Sequence, residues 1–213
     1  MSESEPRFNK ARVEMLCDGI FCVAMTLLAL DLKPPDLPRH SDSAAIWRAV
    51  REHALPFVGF ALTFLLAGSS WIMHHRLYQH VRGVNRPMVM STIPFLMFVS
   101  LLPFSTSMLT AFGSRNPVAL TFYVGNQLAL SSLLALQWLL AKHANLLTGG
   151  DGDADRRMIG RVLLAQPAGF LVALVVAWAS PQNAMTAIAL SLALFMGLAR
   201  RADRAGAARA PAS

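Results

Sequence analysis

The chain has 213 residues, of which 54% are hydrophobic and 15% charged, well below the roughly 25% charged share of soluble domains. Its formal net charge is +7, but the basic residues are scattered among segments between long apolar runs, which argues against a nucleic-acid patch. Composition therefore sets aside a soluble domain and predicts an all-α, polytopic membrane protein with six transmembrane helices.

The first apolar segment, Arg12 to Lys33, is short for a span. Only 12 uncharged residues separate Asp18 from Asp31, roughly 18 Å of helix at 1.5 Å per residue. A signal peptide fits poorly, because Glu3, Glu5, Glu14 and Asp18 precede the apolar run and no A-x-A-like cleavage site follows Leu30. The preferred reading is a buried first helix with functional charges at membrane depth. Lys33 to Asp42 contains three prolines and ends that helix, and Ser41 to Glu52 predicts a short interfacial helix carrying Trp47. Charge-free runs follow from Ala54 to Met73, Pro87 to Ser114 and Asn116 to Ala141. Val162 to Ala199 is a fourth run, long enough for two spans and broken at Ser180-Pro181-Gln182-Asn183. Each approaches the roughly 20 residues that a helix needs to cross the hydrocarbon core. The predicted spans are 10–32, 54–74, 87–112, 117–141, 159–179 and 182–199, in a channel domain over 10–200 flanked by tails 1–9 and 201–213.

With these spans, 14 of the 19 Lys and Arg residues fall on the side of the two termini. The positive-inside bias then predicts that both termini are cytoplasmic. Cys17 and Cys22 point about 140° apart on a helix, which excludes a local disulfide. The loop Thr148 to Asp155 is acidic, but its glycine placement and missing terminal Glu argue against calcium binding. No zinc-spaced Cys/His array, phosphate loop, dinucleotide fingerprint, nucleophile elbow or TVGYG-like filter is visible. Transport or a structural role is favoured over catalysis; no cofactor, metal or nucleic acid is expected.

On a helical wheel at 100° per residue, Arg12, Leu16, Gly19, Val23, Thr26, Leu27 and Leu30 form one stripe of the first helix. Two readings of it stand, a packing face and a functional surface. Asp18 lies about 100° from Gly19 and faces a neighbouring helix. Trp71, His74 or His75, and Asn85 lie on the same predicted side and are its candidate partners. Structural pairing and a role in permeation or proton relay both remain open for Asp18, as does an ordinary interfacial role for His74 and His75.

Arg12-x-x-x-Leu16-Cys17-Asp18-Gly19, continued by the apolar run to Asp31, resembles the R-x-x-x-F-S-D-G signature of the transmembrane-protein-175 family, the endosomal and lysosomal potassium channels and their prokaryotic relatives. Trp71-x-x-His74-His75 and Leu101-Leu102-Pro103-Phe104 resemble that family's second and third spans. The resemblance covers roughly residues 10–140 and implies one six-helix repeat per chain, assembled as a homotetramer around a pore lined by the first helix. It implies constriction positions at Val23, Leu27 and Leu30, with a hydroxyl layer from Thr26. It further implies a polar network of Arg12, Asp18, Trp71, His74 and Asn85 holding the first helix against its neighbours. Leu16 and Cys17 depart from the pattern. They remove aromatic volume and replace a good hydrogen-bond donor by a weak thiol beside Asp18.

The function so implied is a potassium-permeable cation channel in the plasma membrane of a prokaryote, with an apolar neck that gates by dewetting. Potassium sheds water more readily than sodium, so modest selectivity for it is expected. Asp31 near the outer mouth attracts cations, partly offset by Lys33. The rival readings are a proton-coupled transporter relaying through Asp18 and His74, for which no clear internal repeat is visible, and a non-conducting membrane scaffold.

Overall fold

The computed structural model describes residues 8–34, 36–38, 40–52, 54–148 and 154–207, without the side chains of 194–196 and 198–207. Most of the acidic loop, 149–153, and the outer parts of both tails, 1–7 and 208–213, lie outside the described residues. Eight helices follow in chain order: α1 Lys10–Leu30, α2 Ser43–Glu52, α3 Ala54–Gln79, α4 Arg86–Ser100, α5 Leu102–Phe112, α6 Pro117–His143, α7 Ala154–Ala179 and α8 Pro181–Ala207.

Three asparagines start α1, α4 and α6. The Asn9 carboxamide oxygen accepts from the backbone N–H groups of Ala11 and Arg12, that of Asn85 from Met88, and that of Asn116 from Val118 and Ala119. Each satisfies donors that a helix N-terminus leaves open, a cost that matters most where no water can replace them. Asp42 does the same for α2 by accepting from the N–H of Ala45 at 2.7 Å. Helix α2 lies within the expected interfacial segment, and its Ile46 and Trp47 are exposed.

Among the described residues, five helical stretches are long and apolar enough to cross a membrane: α1, α3, α4 with α5, α6 and α7. They coincide with the first five expected spans. The third is interrupted at Leu101, because Pro103 has no N–H to continue the ladder and the chain restarts as α5. The sixth expected span, 182–199, falls within the 27-residue α8, which is not among those five. Helix α8 also runs to Ala207, beyond the 200/201 boundary drawn from the charge pattern. Alanine and arginine are strong helix formers, so positive charge alone does not end a helix there.

Helix α1 packs against α3, α4 and α5; α4 and α5 pack on α6; and α7 lies between α6 and α8. One core cluster joins Cys17, Phe21 and Ala24 of α1 to Met73, Leu77, Phe95, Leu134 and Trp138. A second joins Leu66, Leu109 and Tyr123 to Phe170, Ala173 and Ala177 of α7 and Ala184 and Ile188 of α8. Small residues carry the α7–α8 contact, as expected where backbones must approach closely without a hydrophobic drive from water. Gly160 follows the same logic. A Cβ there would stand 2.7 Å from the Trp138 ring, so only glycine lets the indole lie against α7.

The loops at one end are stitched together. Phe8 pairs with Val84, and Val81 with Leu147, as isolated β-bridges. The Lys10 ammonium donates to the Val81 carbonyl at 2.9 Å, and His80 lies 3.3 Å from Asp155. The start of α1, the α3–α4 loop and the α6–α7 loop therefore share one end of the bundle. That is the grouping of basic segments on which the predicted orientation rests.

Candidate pore-lining helix and its anchors

Helix α1 sorts its side chains into two faces. Cys17, Phe21, Ala24 and Leu28, spaced by 4, 3 and 4, are buried against the bundle. Phe21 meets Phe95 of α4 with ring centroids 5.8 Å apart. The opposite face is open. Leu16 is 56% exposed, Val23 54%, Leu27 43% and Leu30 73%, and Arg12, Gly19 and Thr26 are exposed with them. All seven residues of the stripe drawn on the wheel thus lie on the uncovered face. In the single chain α1 is not the buried helix expected from its charges; it is the least enclosed of the five candidate spans. Arg12, Asp18 and Asp31 all lie at exposed positions rather than in the packed interior.

Thr26 turns its hydroxyl back on its own helix, donating toward the carbonyls of Cys22 at 3.0 Å and Val23 at 2.8 Å. Its lone pairs remain available on the open face, at the level between Val23 and Leu27. Cys22 is exposed on the flank, and Cys17 is buried; both are free thiols.

Each end of the open face is tied to a neighbouring helix by a carboxylate. At the end nearer the N-terminus, the Trp71 indole N–H donates to Asp18 Oδ1 at 2.8 Å. The Trp71 ring stacks on His75 of the next turn at 6.0 Å, and His75 Nε2 is 2.9 Å from Gln79 Nε2. At the other end, the Ser107 hydroxyl of α5 donates to Asp31 Oδ2. The apolar stretch Val23–Leu30 lies between these two ties.

The residues expected in one polar network occupy separate places. Asp18 and Trp71 bond directly, and His75 rather than His74 extends that contact. His74 is buried in an aromatic stack, 4.3 Å from Tyr78 and 5.5 Å from Phe95 between centroids. Its Nε2 has no hydrogen-bond partner among the described residues. Asn85 caps α4, and Arg12 is exposed in the first turn of α1. Adjacent histidines point about 100° apart on a helix, so only one can share the face of Trp71; His75, four residues on, does. The Asp31–Ser107 tie was not anticipated, because nothing local marks Ser107 as the partner of a residue 76 positions away. Among the described residues no group of three or more His, Cys, Asp or Glu is placed to hold a metal.

The family model described as endosomal/lysosomal potassium channel TMEM175 matches residues 12–103, which contain most of α1, its Trp71 tie and the α4–α5 break. A protein of Streptomyces collinus named a potassium channel is 29% identical over 142 residues, covering 65% of this chain and 68% of that one. A second, from Chamaesiphon minutus, is 26% identical over 157 residues, covering 72% and 76%. The human endosomal/lysosomal proton channel TMEM175 is 32% identical over 114 residues, but the match covers 51% of this chain and only 22% of the human protein. The crystal structure of a lysosomal potassium-selective channel TMEM175 homolog from Chamaesiphon minutus superposes with a TM-score of 0.73. It covers 91% of this chain and 97% of that one at 23% identity, which establishes a common fold. Over residues 12–103 this multi-pass membrane protein is similar to the TMEM175 family, and over nearly its whole length it shares the fold of the Chamaesiphon homolog.

Proposed function

We propose that the chain forms a potassium-permeable cation channel whose pore is lined by the open face of α1 from several copies, most simply four. One observation carries the reading. The exposed apolar stripe of Leu16, Val23, Leu27 and Leu30 runs along a helix whose opposite face is packed and whose ends are tied down by Asp18 and Asp31. A single helix encloses nothing, so a conducting path needs a closed ring of copies around an axis facing this stripe. The names of the Streptomyces and Chamaesiphon relatives, both potassium channels, support the same ion.

In such a ring Val23, Leu27 and Leu30 form successive apolar collars, with the Thr26 hydroxyls between the first two. An apolar neck opposes ions by dewetting, so widening it raises conductance. Selection then rests on the cost of partial dehydration, which is smaller for potassium than for sodium, and the preference is modest. Asp31 at the far end of the neck raises the local cation concentration. The motif residues Arg12, Leu16, Cys17, Asp18, Gly19, Trp71, His74 and Asn85 are assigned to holding and aligning α1. In this assignment the Asp18–Trp71 bond fixes its rotation, and Asn85 and His74 fix α4 and the core behind it. The basic end of the bundle faces the cytoplasm, with both termini there, in the plasma membrane of a prokaryote.

The test is flux into liposomes holding the purified protein, under potassium and then sodium gradients, for wild type and Leu27→Ala. Potassium-favouring flux that rises several-fold in the variant is expected. Folded, inserted protein that passes no ion in either form overturns the channel reading.

A further inference from the structure

A second site involves no residue of α1 and lies where α4 gives way to α5 and both meet α6. An open cavity of about 470 Å³ stands there. Phe98, Leu101, Phe104 and Phe122 form its walls, and none of its eight lining residues is charged. Its polar end is Ser105 and Asn126, both more than nine-tenths buried. The Asn126 amide Nδ2 donates to Ser105 Oγ at 3.3 Å, and the Ser105 hydroxyl is committed to the Leu102 carbonyl at 3.0 Å. Asn126 Oδ1 has no partner among the described residues. A buried acceptor left open is costly, and within the hydrocarbon no bulk water can meet it. Gly125 leaves room in the lining, since a Cβ there would meet nothing within 4 Å.

We propose that this cavity binds a membrane-dissolved aromatic alcohol, whose hydroxyl donates to Asn126 Oδ1 and whose ring lies among the phenyl walls. The volume falls within the range of small-molecule sites, which combine an apolar lining with a few placed polar groups. Phe104 and Phe122 already meet edge to face, at 6.0 Å and 88°, and a third ring can join them in the same geometry. The open acceptor calls for a donor, so an ether or ketone of the same shape leaves it unsatisfied. Thr121 and Asn126 lie four and nine residues past the start of α6 at Pro117, roughly 6 to 14 Å along the span at 1.5 Å per residue. The ligand therefore arrives through the hydrocarbon and is uncharged. A phospholipid, whose head group stays at the surface, offers only methylenes at this depth and leaves the amide open. The site rests on the protein being membrane-embedded and not on conduction.

Photolabelling of the full chain in neutral detergent tests it, with an alkylphenol carrying a diazirine on its chain as the probe. Saturable labelling is expected within 98–105 and 121–126, the segments that line the cavity, read by peptide mass spectrometry. 4-Butylphenol should compete about tenfold better than butylbenzene at equal micellar mole fraction, the effect of one hydrogen bond. Asn126→Ala should keep the labelling and lose that preference. Gly125→Leu, which fills the cavity and leaves Asn126 in place, should abolish the labelling. The wild-type preference carries the test where a variant is not monodisperse. Equal competition by the two compounds, labelling that does not saturate, or labelling unchanged by Gly125→Leu would each overturn the proposal. Failure of the channel reading is separate, since it would show as absent flux with labelling intact.

Discussion

Helices α1 and α6 are built from similar apolar residues, yet they sit in opposite environments. In α1 22% of the apolar window is buried, against 56% in α6, although α6 is the less apolar of the two. In a water-soluble protein that order would be reversed. Here the reason is visible in α6, which carries Asn126, Gln127, Ser131 and Gln137 into the interior. Lipid tails solvate leucine as well as a protein core does, so apolar surface gains little by hiding from them, whereas a hydroxyl that meets a partner inside gains more. Tyr123 of α6 shows the arrangement, its hydroxyl 3.0 Å from Thr63, which in turn lies 2.9 Å from Thr106. Burial in this fold follows polarity, and an apolar face left open is available to lipid, to a second copy or to a pore.

Substitutions can break or sharpen that contrast. The largest effect is expected where the α6 wall leaves no room. Gly160→Leu drives a side chain into Trp138 and should cost about 3 kcal/mol, read as a lower midpoint in detergent-induced unfolding; Gly59, whose Cβ would meet Thr110 at 2.8 Å, is the parallel case on α3. Next comes the same change made on both helices. Leu130→Ala on α6 opens a cavity and should cost roughly 2 kcal/mol, the cavity part of a core truncation where lipid replaces water as the reference. Leu27→Ala on the open face of α1 should change unfolding by less than about 0.5 kcal/mol while raising ion flux. If Leu27→Ala instead destabilises as much as Leu130→Ala, the stripe is a packing face and the contrast fails.

A smaller effect is expected at the α1 anchor. Trp71→Phe keeps the ring but removes the donor to Asp18, and at this exposed position should cost up to about 1 kcal/mol. If the tie sets the rotation of α1, cysteine accessibility at Cys22 to a membrane-impermeant thiol reagent should change with it. The smallest effect belongs to Gly19→Ala. Nothing lies within 4 Å of the added Cβ in the single chain, and alanine is the better helix former by about 0.5–1 kcal/mol. A small gain in stability, measured by the same unfolding assay, is expected. A loss would mean that another copy of α1 approaches there closely, which would sharpen the ring model.

Much of this was legible in the sequence because a membrane simplifies the code. Charge-free runs near the length of a span located α3, α6 and α7 to within a few residues, and the wheel separated the two faces of α1 along its whole length. The Asp18–Trp71 bond was also within reach, since both residues fall on the same side of the membrane once the spans are drawn. His74 and His75 were not separable, because their roles depend on a 100° rotation that only the packing of α3 against α1 and α4 sets. Asn85 was assigned to a network when its local task is to cap α4. The Asn-Arg-Pro sequence at residues 85–87 is itself a helix-start signal and could have indicated this.

By itself, then, the sequence determined the placement of five apolar spans, the charge asymmetry of the segments joining them and the composition of the α1 stripe. All three depend only on residue order and helical period. The tertiary structure decided which spans turn inward, which histidine meets Trp71, how Ser107 reaches Asp31 and how Gly160 lets Trp138 lie against α7. Those outcomes depend on contacts between helices far apart in the chain, where a few ångströms of approach separate a packed face from an open one.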